Sequence, residues 1–95
     1  MPQSPHRRDH LPPLAVEDRV HQRTVLGYVL SHHPTRFTQG ELTRILAVDP
    51  EDRDHRQAVI AAIEALVAAG LLRRDGHYVS PTRAAIHFYR LARRT

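Results

Sequence analysis

Apolar residues recur at helical spacing through most of this chain and show no period at its start. Over residues 15–31, Val16, Val20, Val25, Leu26, Val29 and Leu30 form one stripe, which predicts a core helix that stops ahead of Pro34. Leu42, Ile45 and Leu46 predict a second, shorter helix to about residue 47. Thr38 stands in front of it as N-cap and Glu41 reaches back from the third position, a capping box. A third helix, starting between residues 50 and 55, turns Val59, Ile63, Leu66 and Val67 inward. Asp49-Pro50 offers its cap and first position, and Glu51, Asp52 and Asp54 complement the helix N-terminal dipole. It ends at Gly70, where the chain must turn left-handed.

Past Gly70 the period changes. Residues 71–74 and 77–80 flank Asp75-Gly76, a dipeptide that favours a tight type I′ turn, so a two-stranded hairpin is expected there. Arg36-Phe37 leaves room for one very short strand. Ser80-Pro81 opens a last helix over residues 82–93, whose Ala85, Phe88, Tyr89 and Ala92 share a face. There is no internal repeat. Pro2, Pro5, Pro12 and Pro13 crowd a start without apolar period, so residues 1–14 read as a disordered basic tail and residues 15–94 as one domain.

At 95 residues the chain is long enough for one core and too short for two, and its 41% apolar share suffices to build that core. No cysteine excludes disulfides, a thiol nucleophile and a cysteine zinc site. No run approaches a membrane span and the start lacks the apolar centre of a secretory signal, so a cytoplasmic protein that does not engage membranes is expected.

The net charge of +4 is unevenly placed, with residues 41–70 net negative and residues 71–95 strongly positive. All 14 basic residues are arginine. Guanidinium forks suit phosphate oxygens, although a GC-rich genome produces the same bias.

Helix, short strand, capped helix, longer helix ending in AAGLL, then a hairpin: this order resembles the winged helix-turn-helix family over about residues 15–92. The most specific piece is LVAAGLLRRDGHYV, residues 66–79. The expected fold class is therefore mainly α with a small β-hairpin: a three-helix core, a β-wing and an additional C-terminal helix. Members of the family often bind duplex DNA, with the third helix in the major groove and wing arginines on phosphate or in the minor groove. What the resemblance implies here is a transcriptional regulator that binds double-stranded DNA.

Carried onto this sequence, the base-reading candidates are Arg53, Arg56, Gln57, Ala61 and Glu64. Arg56 has the donor fork for guanine and Gln57 the amide for adenine. Arg73, Arg74 and His77 are the wing candidates, and Thr38 and Gln39 can donate to phosphate at the start of the second helix. Each has a plainer reading. Asp52 and Arg56 are spaced to pair on an exposed face, and Arg73-Arg74 equally protects a strand edge. Phe88, Tyr89 and Leu91 serve either a homodimer contact made by the first and last helices, or packing onto the chain's own first helix.

The acids at the start of the third helix oppose phosphate. They are either ordinary capping chemistry or a surface for a protein partner, which makes a protein-interaction module the alternative function. Arg90, Arg93 and Arg94 suit a solvated helix end, and Arg7 and Arg8 form a short basic arm. The eight histidines include no HExxH arrangement, so no metal or other cofactor is expected, and His55 and His77 read as polar surface residues. With no phosphate-cradling glycine loop, nucleophile elbow or facing carboxylates, the chain does not read as an enzyme. RNA binding is weaker still, since the aromatics occupy core-like positions.

Overall fold

A computed structural model describes residues 13–94. They form four helices and a small antiparallel sheet in the order α1 (Pro13–Ser31), β1 (Phe37–Thr38), α2 (Gln39–Leu46), α3 (Arg53–Ala68), β2 (Leu72–Asp75), β3 (Tyr78–Pro81) and α4 (Arg83–Arg94). Helix α1 begins two residues earlier than its apolar stripe predicts. The expected disorder of residues 1–12 lies outside the described residues, as do the side chain of Val16 and the basic arm of Arg7 and Arg8.

Helix α3 is the centre of the molecule. It lays Val59 and Ile63 against Val25 and Val29 of α1 and Leu42 of α2, and Leu72 and Val79 of the hairpin close the same core; all seven are essentially inaccessible to solvent. β1 joins the hairpin as a third strand in the order β1-β3-β2, with Phe37 opposite Val79 and Thr38 opposite Tyr78. Buried Phe37 and Val79 share the inner face of this sheet, so alternation puts Arg36, Tyr78 and Asp75 on its outer face.

Local chemistry sets the ends of the elements. Thr38 Oγ1 accepts from the Glu41 N–H at 3.1 Å, while the Thr38 N–H donates to Glu41 Oε1 at 2.8 Å, completing the predicted capping box. Helix α3 ends as expected at Gly70, whose φ is +79°. The Gly70 N–H donates to the Val67 carbonyl and the Leu71 N–H to the Leu66 carbonyl, closing the helix end.

The α3 cap falls three residues later than Asp49-Pro50 predicts. Asp49 spends its carboxylate on the Glu51 N–H at 3.0 Å, forming a turn, and Asp52 caps the helix by accepting from the Asp54 N–H at 2.8 Å and the His55 N–H at 3.4 Å.

Asp75 pairs with Tyr78, so the two loop residues are Gly76 and His77, one place later than predicted. Only Gly76 takes a positive φ, +64°, which is the pattern of a type II′ turn rather than type I′.

In α2, Ile45 is exposed and Thr43 is buried in its stead, because the Thr43 hydroxyl donates to the Gln39 carbonyl at 2.8 Å and so enters the interior satisfied. In α4 the inward face runs through Ala85, Ile86 and Tyr89, leaving Phe88, which the periodicity grouped with Ala85, 65% exposed.

Helix α4 is tied down at its start. Thr82 caps it by accepting from the Ala85 N–H at 3.2 Å, and the same hydroxyl donates to the Gly70 carbonyl at 2.8 Å. Farther along, Ile86 and Tyr89 lie beside Leu30 and Ser31 at the end of α1. No helix among the described residues is long and apolar enough to cross a membrane.

Candidate functional site

Helices α2 and α3 meet at the turn through Asp49-Pro50, and the side of α3 turned from the core is polar. Arg53, Gln57, Ala61 and Glu64 are all exposed and follow one another at helical spacing, so four of the five base-reading candidates form one accessible stripe. Ala61 is the small residue in its middle.

Arg56 lies apart from that stripe. It is half-buried, and its Nη1 donates to the Pro50 carbonyl at 2.8 Å. The expected pairing with Asp52 does not form, because the Asp52 carboxylate is turned to the first N–H groups of α3. Arg56 instead walls a groove of about 400 Å³ between the two helices, shared with Gln39, Thr43, Arg44, Pro50 and Ile60.

Through Gln39, one of the groove's lining residues, the hairpin is linked to α2. Arg74 Nη1 donates to Gln39 Oε1 at 2.7 Å, which joins a wing candidate to a candidate at the start of α2. Thr38 is adjacent, but its N–H and one hydroxyl lone pair are committed to the capping box, so it has less to offer phosphate than the sequence implies.

Arg73 and Arg74 do not act side by side, since neighbouring residues of a strand point to opposite faces. Arg73 is on the outer face, 3.8 Å from Asp75. His77 is exposed in the loop of the hairpin.

No protein-family model, curated protein or solved structure matches the chain.

The surface contains a residue that sequence reasoning missed. Arg36 reaches Asp75 at 3.2 Å and lays its guanidinium 4.4 Å from the centre of the Tyr78 ring. Nothing local to Arg36 signals this, because its partners are 39 and 42 positions away and arrive through the β1-β3 pairing. Both ion pairs are more than half exposed and contribute little to stability. Their effect is positional: Arg36 and Arg73 flank Asp75 on the outer face of the sheet and Arg74 adds a third cation on the other face, so arginines outnumber the acid there.

The start of α3 has the opposite sign. Asp49, Glu51, Asp52 and Asp54 are all exposed there. Among the described residues, Asp49, Asp52 and His55 bring one ligand atom each to within 4.8 Å of one another. His55 is not the surface residue expected: it is half-buried, and its Nδ1 is enclosed without a hydrogen-bond partner.

On the far side of the molecule, α4 divides the residues considered for a dimer contact. Tyr89 is half-buried and lines a cleft with Leu30 and Ser31 at the end of α1. Phe88 and Leu91 stand 65% and 43% exposed and keep the interface reading open.

Proposed function

We propose that the chain is a winged helix-turn-helix module that binds double-stranded DNA as a transcriptional regulator. In this reading α2 and α3 form the helix-turn-helix and the β2-β3 hairpin is the wing. The observation that carries it is an exposed polar stripe on α3 together with a hairpin bearing Arg73 and Arg74, the second of which bonds Gln39 at 2.7 Å and so ties the hairpin to the start of α2.

The roles follow from position. Arg53, Gln57 and Glu64 face base edges, with Ala61 allowing close approach. Arg73, Arg74 and His77 meet phosphate or the minor groove, Arg36 adds a third cation, and Gln39 and Thr38 border the backbone. Arg56, held by Pro50, must leave that carbonyl to read a guanine. Two copies joined through Phe88 and Leu91 of α4 read two half-sites, as a module of this size needs. The compartment in this reading is the cytoplasm.

A second reading has its own support: the exposed acids at the start of α3 make that end a surface for a basic protein partner. Charge reversal separates the two. Arg73→Glu with Arg74→Glu abolishes DNA binding in the first reading, whereas in the second it leaves the partner contact intact.

A further inference from the structure

We propose that Asp49, Asp52 and His55 form a binding site for one first-row divalent cation, with Zn²⁺ the best match, at the turn between α2 and α3. Two observations carry it. The three side chains already present ligand atoms within 4.8 Å of one another, a separation that a small closing movement reduces to the spacing of donors around one ion. In addition, the Nδ1 of half-buried His55 is cut off from solvent and has no hydrogen-bond partner, which leaves a buried acceptor or donor unsatisfied.

The backbone supports this arrangement. Asp49 and Asp52 each accept backbone N–H groups through Oδ1, which fixes both carboxylates and leaves Oδ2 of each for a ligand. His55 follows Asp52 by three positions, so cap and ring rise on the same side of the first turn of α3. One imidazole nitrogen with two carboxylate oxygens favours zinc or its neighbours over magnesium or calcium, which prefer all-oxygen shells. Three protein ligands leave a further position to water or another oxygen.

The ion answers the electrostatic difficulty of this surface. Residues 49–56 contain four acids and two arginines, a net charge of −2 that one divalent cation cancels. Resting on the DNA-binding reading, the consequence is that zinc removes the repulsion between the start of α3 and the DNA backbone, so duplex affinity is metal-dependent.

Titration of the metal-free full chain with zinc chloride, followed by calorimetry and by amide and imidazole NMR shifts, tests the site without DNA. One equivalent is expected to bind with shifts confined to residues 49–56. His55→Gln and Asp52→Asn are each expected to weaken binding about tenfold or more. Asparagine caps a helix as well as aspartate, so Asp52→Asn keeps α3 intact, and His87→Gln is the control without effect. Unchanged zinc affinity in both variants, or shifts confined to other histidines, overturns the proposal. Repeating the DNA titration with and without zinc separates the two claims: a zinc site that forms while no duplex binds leaves the site standing and removes the DNA reading.

Discussion

Arg74 and Gln39 are 35 positions apart in the chain, and their side chains meet at 2.7 Å. This bond spans the gap between hairpin and α2, turning two separate candidate positions into one surface. It holds a cation beside the start of α2, where the N–H groups of the helix also favour anions.

Replacing Arg73 and Arg74 together by glutamate is expected to abolish duplex binding. Both side chains are exposed, so stability should stay within about 0.5 kcal/mol of the parent. Fluorescence anisotropy reads the first effect and a thermal melt by circular dichroism the second. A variant that still binds removes the hairpin from the account.

The two glycines Gly27 and Gly70 respond oppositely to alanine. A Cβ at either meets nothing within 4 Å, so only the backbone decides. At Gly70, with φ +79°, alanine is expected to cost about 1–2 kcal/mol. At Gly27, inside α1 and exposed, it is expected to add about 0.5–1 kcal/mol. Urea midpoints at unchanged slope measure both.

Thr82 joins two helices through one hydroxyl, donating to the Gly70 carbonyl and accepting from the Ala85 N–H. Thr82→Val keeps the shape and removes the hydroxyl, and is expected to cost about 1–2 kcal/mol. Thr82→Ser should restore most of it. Equal stability of the valine and serine variants would contradict the role given to that oxygen.

The dimer proposed through α4 depends on Phe88 and Leu91. Changing both to glutamate is expected to give a monomer by sedimentation equilibrium at concentrations where the parent is dimeric, with the melting temperature little changed because neither side chain is in the core. A parent that is monomeric throughout refutes this contact.

The parts legible in the sequence are those whose causes are local. Thr38 and Glu41 specify the start of α2 by themselves, and Gly70 specifies the end of α3. Asp-Gly locates the hairpin to within one residue, but the register of β2 and β3 fixes which two residues form the loop.

Helical spacing alone does not decide on which side of a stripe the core lies. Ile45 and Phe88 each follow an inward residue by three positions, yet burial goes to Thr43 and Ile86, the residues on its other side. Nothing local marks Thr43 as buried, because the bond from its hydroxyl to the Gln39 carbonyl exists only once the helix has formed. Arg36 could not be found locally at all, since strand pairing supplies both of its partners. Asp49, Asp52 and His55 escaped a search for histidine pairs because the turn that assembles them places the α3 cap at Asp52.

The central claim is that this surface binds duplex DNA through its arginines. Anisotropy of the purified chain against a random-sequence duplex, over a salt series, tests it most directly. The account predicts that log affinity falls linearly with log salt, with a slope of about −3 or steeper, since each phosphate contact contributes about −0.9. No binding even at the lowest salt would contradict it and leave the acidic start of α3, as a surface for a protein partner, in its place.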